Sequence, residues 1–243
     1  MYQRVLLKLS GEALSDKNKR LEDGCISFHI VENTATQLAE VSKLGVSLGI
    51  VLGGGNIWRG RSSGSMDRNR ADQMGMLATA INSIAMQDTL LSMGVPCTVL
   101  SAVEMPRFCD TYTSRSAQAL LHTTEGAMGH IVIFSCGSGH PFFSTDTAAA
   151  LRAAEIGADI LLLAKNVDAI YSEDPNKNPD AIRYSHLSFD EVIKNDLKAT
   201  DLTAITLCKE NGIAIRAFGL EEENGIIRAV KGESIGTLID EKR

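Results

Sequence analysis

Three stretches of this chain combine residue types suited to holding a polyanion. The first is Lys8-Leu9-Ser10-Gly11, where a lysine closes the apolar run Arg4 to Leu9 and a glycine follows. The second is Gly53-Gly54-Gly55, which comes after the apolar Ile50-Val51-Leu52 and is followed by Asn56-Ile57-Trp58-Arg59-Gly60. The third is Cys136-Gly137-Ser138-Gly139-His140-Pro141-Phe142-Phe143-Ser144-Thr145-Asp146. A run of bare N–H groups at a strand end can cradle an anion, usually phosphate. Glycine also lets a ligand come close to the backbone. The Arg59 guanidinium can fork onto phosphate oxygens. Lys8 needs either an anionic partner or a path to water for its head group. Ser144 or Thr145 can cap a helix that starts near Asp146, and such a helix start favours an anion. Each stretch also has a plain reading: a turn for the glycines, a snorkelling Lys8, a capping Asp146. Three exits converging on one sheet edge argue for a ligand site.

The elements that must position these residues follow from apolar spacing. Arg4 to Leu9 reads as a buried strand, Phe28 to Leu44 as a helix ending at Gly45, and Val46 to Leu52 as a second strand. Ser62 to Asp67 is polar and reads as a surface segment. Ala71 to Met93 is expected to be one long helix, with Met74, Leu77, Ala78, Ile81, Ile84 and Ala85 on its apolar face, stopped by Gly94 and Pro96. Strands are expected at Cys97 to Leu100, His130 to Phe134, Asp159 to Ala164 and Gly212 to Phe218. Helices are expected at Ser116 to Glu125, Asp146 to Ile156, Asp201 to Asn211 and Glu223 to Val230. Gly236 to Ile239 reads as a closing edge strand, and Ser172 to Arg183, with Pro175 and Pro179, as a surface loop. Apolar strands alternating with helices indicate an α/β fold: one domain over residues 1–243, with helices on both faces of a mostly parallel sheet. Ligands of such sheets bind beyond the carboxyl ends of the strands.

Composition removes several function classes. With 243 residues and 44% apolar content the chain can build a substantial core. A net charge of −6 suggests neither a nucleic-acid groove nor a membrane-binding patch, so local groups must hold any anion. The five cysteines are scattered and never form a Cys-x-x-Cys pair, which points to reduced thiols in a cytoplasmic protein without zinc or disulfides. Met1 to Val5 runs straight into a strand, so no signal peptide is expected, and no apolar run approaches membrane-spanning length. Neither the P-loop nor the dinucleotide fingerprint is present; Phe142 stands where the latter needs its last glycine.

Taken together, Lys8 to Glu12, Gly53 to Gly60, Asp72 to Thr79, Ser138 to Asp146, Lys165 to Tyr171, Asp174-Pro175 and Asp201-Leu202 resemble the bacterial uridylate kinase family of the amino acid kinase superfamily. The resemblance runs from about Tyr2 to Ile239 and keeps the motifs in order. It implies the three-layer αβα amino acid kinase fold and ATP-dependent phosphorylation of UMP to UDP with Mg²⁺. By position it implies that Lys8, Leu9, Ser10, Gly11, Gly55 and Arg59 line the ATP phosphates, and that Asn166, Tyr171 and Asp174 hold the adenosine part. Gly54, Asp72, Ser138, Gly139, His140, Pro141, Phe142, Phe143, Ser144 and Thr145 fall where the family holds UMP. It further implies a homohexamer built as a trimer of dimers, with GTP as activator and UTP as inhibitor.

Phosphoryl transfer needs alignment and charge neutralisation more than covalent help. Lys8 and Arg59 are therefore expected to act directly, with Asp146 and Asp201 orienting Lys8 and metal-bound water; no protein-held metal is expected. His140 stands where the family usually carries Asn, and an imidazole can gain charge in the physiological range where an amide cannot. Ala169-Ile170 replaces the family's usual Gly-Val, and Lys165-Asn166 differs from its Thr-Lys. Two rivals stand beside this reading: a superfamily kinase acting on carbamate or an amino acid, and a non-catalytic nucleotide sensor of the same fold.

Overall fold

Four strands whose side chains are mostly apolar make the centre of the molecule. In the computed structural model, which describes residues 1–16, 25–59, 64–122, 124 and 126–241, β2 (Ser47–Leu52) and β5 (Ile131–Ser135) are buried at every position. Beside them lie β1 (Arg4–Leu9) and β6 (Ile160–Lys165), and all four run parallel. Strands this apolar are stable only when helices cover both faces. The full sheet has nine strands in the order β4-β3-β5-β2-β1-β6-β10-β11-β9, adding β3 (Cys97–Ser101), β4 (Asp110–Thr111), β9 (His186–Ser188), β10 (Ala214–Gly219) and β11 (Thr237–Asp240). Only the β10–β11 pair is antiparallel. A separate antiparallel hairpin joins β7 (Ile170–Tyr171) to β8 (Arg183–Tyr184), and Ser172 to Arg183 forms most of its loop as expected.

Among the described residues seven α-helices cover the two faces, giving the expected αβα layering. On one face, α1 (Phe28–Lys43), α2 (Arg68–Ser92) and α7 (Gly225–Lys231) pack on Val5, Leu7, Leu9, Leu48 and Ile50. On the other, α3 (Ser114–Leu120), α4 (Thr145–Ile156), α5 (Phe189–Lys194) and α6 (Leu202–Glu210) pack on Leu6, Val51, Phe134 and Leu161. Gly49 lies inside β2 for a packing reason. A Cβ there would sit 2.8 Å from Leu6, 2.9 Å from Phe134 and 3.1 Å from Ile156, so the missing side chain admits three large ones. The chain leaving β2 goes to α2 and that leaving the neighbouring β5 goes to α4 on the opposite face, which opens a crevice between them.

Three expectations change. The apolar stripe of α2 points outward: Met74, Leu77, Ile81 and Ile84 are 39%, 55%, 50% and 41% exposed. The inward face instead carries Ala71, Ala78, Thr79, Asn82, Ser83 and Met86. Periodicity identified the helix, but not which side the small residues let approach the sheet. Second, β11 is not an edge, because β9 pairs with it in parallel and takes that place. β9, β4 and α5 are too short for a periodic signal; α5 shows itself only in the Ser188–Glu191 capping box. Third, the helix expected over Ser116 to Glu125 runs from Ser114 to Leu120, started by a Thr113–Ser116 capping box. Gly60, the Ser62-Ser63 part of the polar segment and Glu125 lie outside the described residues. No helix among the described residues is long and apolar enough to cross a membrane.

All five cysteines are free thiols, and of these only Cys25 is partly accessible. Burial pushes the Cys97 and Cys208 thiols up to about 12. Because the thiolate is the reacting species, a colorimetric disulfide reagent at mildly alkaline pH is expected to modify Cys25 readily in the folded protein. The other four are expected to react only in denaturant. Rapid modification of Cys97 or Cys208 in the native state would show that the helical layers do not seal them.

Candidate active site

Side chains alternate along a strand, so Lys8 shares the face of Leu6 and meets the helix layer that contains α4. There its Nζ lies 2.6 Å from Oδ1 of Asp146 in the first turn of α4. Neither side chain is more than about a quarter exposed, at 17% and 22%. The Thr200 hydroxyl donates to the other carboxylate oxygen at 2.7 Å. Burial by itself pushes the Asp146 carboxyl up, but Lys8, the Thr200 hydroxyl and Lys165 outweigh it and hold the carboxyl below its ordinary value. Lys165 ends β6 as Lys8 nearly ends β1. Burial pushes its ammonium down, Asp146 pulls it back and Lys8 pushes it down again. Two lysines thus act on one carboxylate in a poorly hydrated place.

The Lys8–Asp146 pair forms part of the wall of a cleft of about 740 Å³ beyond the carboxyl ends of β1, β2 and β5. Of the residues expected from sequence, Lys8, Gly54, Gly55, Arg59, Asp72, Ser138, His140, Phe142, Phe143, Ser144, Thr145, Asp146 and Asp201 line it. Leu9 does not, because its side chain is fully buried in the core. Ser10 and Gly11 lie just behind the glycine loop. A Cβ on Gly11 would come within 2.6 Å of the Gly55 nitrogen and 2.7 Å of the Gly53 oxygen. Gly53 and Gly54 are similarly closed in, with Gly11 N and Gly75 O each 2.8 Å from the Cβ position. Gly55 alone of the triplet is open, with nothing nearer than Glu12 at 4.0 Å. Gly53 and Gly54 therefore answer to backbone packing, although Gly54 also lines the cleft, and Gly55 leaves open space where a side chain would stand.

Asn82 ties this loop down. Fully buried on α2, it donates to the Gly53 carbonyl at 2.7 Å and to Asn56 Oδ1 at 2.8 Å, and it accepts from Asn56 Nδ2 at 3.0 Å. The sequence reading missed Asn82; its signal is an amide on the otherwise small inward face of α2. Arg59 pairs with Glu12 and donates to the Gly55 carbonyl at 3.3 Å. Glu12 also accepts from the Asn166 amide at 3.1 Å, so one carboxylate joins Arg59 to the β6 exit. The rest of the expected adenosine side lies further out. Tyr171 donates to Asp168 at 2.8 Å, and Asp174 accepts from the Asn176 backbone at 3.0 Å in an exposed turn.

The loop from Cys136 to Ser144 is held in strained backbone. Cys136 and Phe142 take φ of +60° and +72°, where side chains are unfavourable, and Gly137 and Gly139 take +60° and +82°. The anchors are the Cys136 N–H on Thr79 Oγ1 at 2.8 Å, Arg152 on the Gly137 carbonyl at 3.1 Å, and the Phe142 N–H on Asp72 at 2.8 Å. Asp72 also accepts from Arg68 at 2.8 Å, and that guanidinium lies 5.6 Å from the Phe142 ring centre. Exposed His140 donates its backbone N–H to Ser138 Oγ at 3.2 Å, and Gly139 and Pro141 complete the turn without lining the cleft. Ser144 caps α4, accepting from Thr147 N at 3.0 Å. Asp201 differs from its expected role of orienting Lys8. It caps α6 through Ala204 N at 2.8 Å and accepts from the Ser144 and Thr147 hydroxyls. It thereby locks the start of α4, and Asp146 alone holds Lys8.

The family model of the amino acid kinase family matches residues 3–218. The fold is similar to the crystal structure of UMP kinase from Ureaplasma parvum, with a TM-score of 0.90 and 35% identity over 99% of this chain and 100% of that one. It is also similar to UMP kinase from Bacillus anthracis, with a TM-score of 0.91 and 32% identity over 100% and 97%. Uridylate kinase from Archaeoglobus fulgidus shares the fold at a TM-score of 0.68 and 24% identity, covering 97% and 99%.

The Asp146 carboxyl is held below its ordinary value in the fold, so its contribution to stability is complete above the unfolded value near pH 4 and is lost as pH falls through the lowered one. The stability difference between wild type and Asp146→Asn, measured by denaturant unfolding, is expected to be flat above about pH 5 and to narrow below about pH 4. A difference that grows on acidification would contradict the ion pair. With its cleft, its lysine–aspartate pair and its full-length matches in view, this chain belongs to the amino acid kinase family.

Proposed function

We propose that this protein transfers the terminal phosphoryl group of ATP to UMP. The P–O bond between the γ-phosphorus and its bridging oxygen breaks, one forms to an oxygen of the UMP phosphate, and ADP and UDP leave. The observation that carries this reading is the Lys8–Asp146 pair in a cleft between the Gly55 backbone and the Ser138–Thr145 loop. The full-length similarity to two proteins described as UMP kinases supports the choice of acceptor.

In this reading Lys8, Arg59 and the open Gly55 backbone face the transferring phosphoryl group, where fixed charges and dipoles are worth most. Leu9, Ser10 and Gly11 supply backbone beside the donor phosphates, and Asn166, Tyr171 and Asp174 receive the adenosine part. Gly54, Asp72 and the loop from Ser138 to Thr145 receive UMP. No general base is needed, because a phosphate monoester loses its second proton at about pH 6. Asp146 keeps the Lys8 ammonium in place, and Asp201 fixes the α4 start that presents Asp146. Among the described residues no three His, Cys, Asp or Glu side chains group to hold a metal ion. The cleft carboxylates Asp146 and Asp201 are already hydrogen-bonded, so the residues fit Mg²⁺ carried in on the nucleotide phosphates and their waters. That ion would neutralise phosphate charge.

The exposed Met74, Leu77, Ile81 and Ile84 stripe of α2 supports burial against a second copy, as in the homohexamer expected from the family. GTP activation, UTP inhibition and a cytoplasmic location belong to the same reading, the last consistent with five unpaired thiols.

The test is a coupled ADP-release assay with ATP, Mg²⁺ and a panel of nucleoside monophosphates, plus carbamate and amino acids. UMP is expected to be strongly preferred, and deoxyuridine monophosphate to be poor if Asp72 reads a ribose hydroxyl. Turnover with carbamate or an amino acid, or with no acceptor at all, would discard the reading. Lys8→Met is expected to lower kcat by about 10²-fold or more with the fold retained; near-normal kcat would remove Lys8 from the mechanism. Asp72→Ala is expected to raise the KM for UMP far more than that for ATP, and an equal rise in both would take Asp72 out of the acceptor site.

A further inference from the structure

The segment between α5 and α6 touches the Lys8 centre through successive residues. The Ala199 carbonyl accepts from the Lys165 ammonium, the Thr200 hydroxyl donates to Asp146 Oδ2 at 2.7 Å, and Asp201 accepts from Ser144 and Thr147 on α4. Ala199 is fully buried and Asp201 caps α6, so Thr200 is gripped on both sides and its hydroxyl has little freedom. We propose that Thr200 is a positioning residue for phosphoryl transfer, its hydroxyl fixing the rotation of the Asp146 carboxylate and hence the place of the Lys8 ammonium. This inference rests on the kinase reading and gives a role to a residue that no motif singles out.

The physical argument is one of geometry. A carboxylate with one oxygen on Lys8 and none on a second fixed donor can turn about its terminal bond and carry the ammonium with it. The ion-pair contact of Oδ1 with Lys8 on β1 and the hydrogen bond to Oδ2 from Thr200 on the connecting segment leave one orientation. The other charged group facing the carboxylate is Lys165 on β6, which is itself tied to Ala199. A displacement of about 1 Å at a reacting centre can cost on the order of 10²-fold in rate. Nucleotide binding draws on many other groups, so the loss should appear in kcat rather than in KM.

Thr200→Val removes the hydroxyl and keeps the shape, and Thr200→Ser keeps the hydroxyl. Thr200→Val is expected to lower kcat about tenfold, with both KM values within about twofold of wild type. Thr200→Ser is expected to retain most of kcat. Thr200→Ala serves as a second hydroxyl-free variant should Thr200→Val not fold. A readout that needs no turnover is the Asp146 side-chain carboxyl signal followed by NMR against pH. Losing a donor to the ionised form is expected to move its titration to higher pH in the hydroxyl-free variant. Wild-type kcat in that variant, an unmoved Asp146 titration, or a serine variant as impaired as the valine one would each overturn the proposal. A wild-type protein inert towards every nucleoside monophosphate would overturn the kinase reading instead, and the carboxyl titration would still decide whether Thr200 governs Asp146.

Discussion

The ion pair between Lys8 and Asp146 is the constraint on which the site depends. A lysine on a central strand loses most of its water, and its charge survives only against a well-placed anion. Such a pair is sound when the remaining carboxylate lone pairs are also satisfied, and Thr200 does this at Asp146. The register of β1 between β2 and β6 sets where Lys8 emerges, since it lies level with Val51 and Leu163. The start of α4 sets where Asp146 waits, and Asp201 holds that start through the Ser144 and Thr147 hydroxyls. Sheet, helix cap and connecting segment thus converge on one ammonium. Lys165 lies near enough to act on the same carboxylate.

Around that pair the two glycine-bearing loops are built for rigidity. Gly11, Gly53 and Gly54 let the β1 exit, the β2 exit and α2 pack at backbone distance, and the Asn82–Asn56 amide pair pins the assembly. The Cys136–Ser144 loop holds two non-glycine residues at positive φ, each with its N–H on a side-chain acceptor of α2: Cys136 on Thr79 and Phe142 on Asp72. Strain of this kind persists only where surrounding contacts over-determine it. The long helix is therefore the ruler of the cleft: it anchors the glycine loop at Asn82 and the Cys136–Ser144 loop at Thr79 and Asp72. That task explains why the part of its inward face from Ala71 to Ser83 is small and polar, while Met86 and Leu90 further along are buried in the core.

Much of this was legible in the residues. The apolar strands, helices that begin at Phe28 and within one residue of Asp146 and Asp201, and the gathering of the Lys8, Gly53–Arg59 and Ser138–Asp146 stretches at one edge follow from hydrophobic period, capping residues and strand polarity. These are local properties, and local sequence carries them. Tertiary structure decided what depends on partners distant in the chain. Asp146 and Lys8 are 138 positions apart, and only strand register and helix placement make Asp146, rather than Asp201, the partner. Which glycine of the triplet is open, which side of α2 is buried, and that Thr200 meets Asp146 and Asn82 meets the glycine loop were settled by the close packing of separate elements. Close packing selects among side chains by shape and by satisfied hydrogen bonds, and neither is written in the spacing of a single segment.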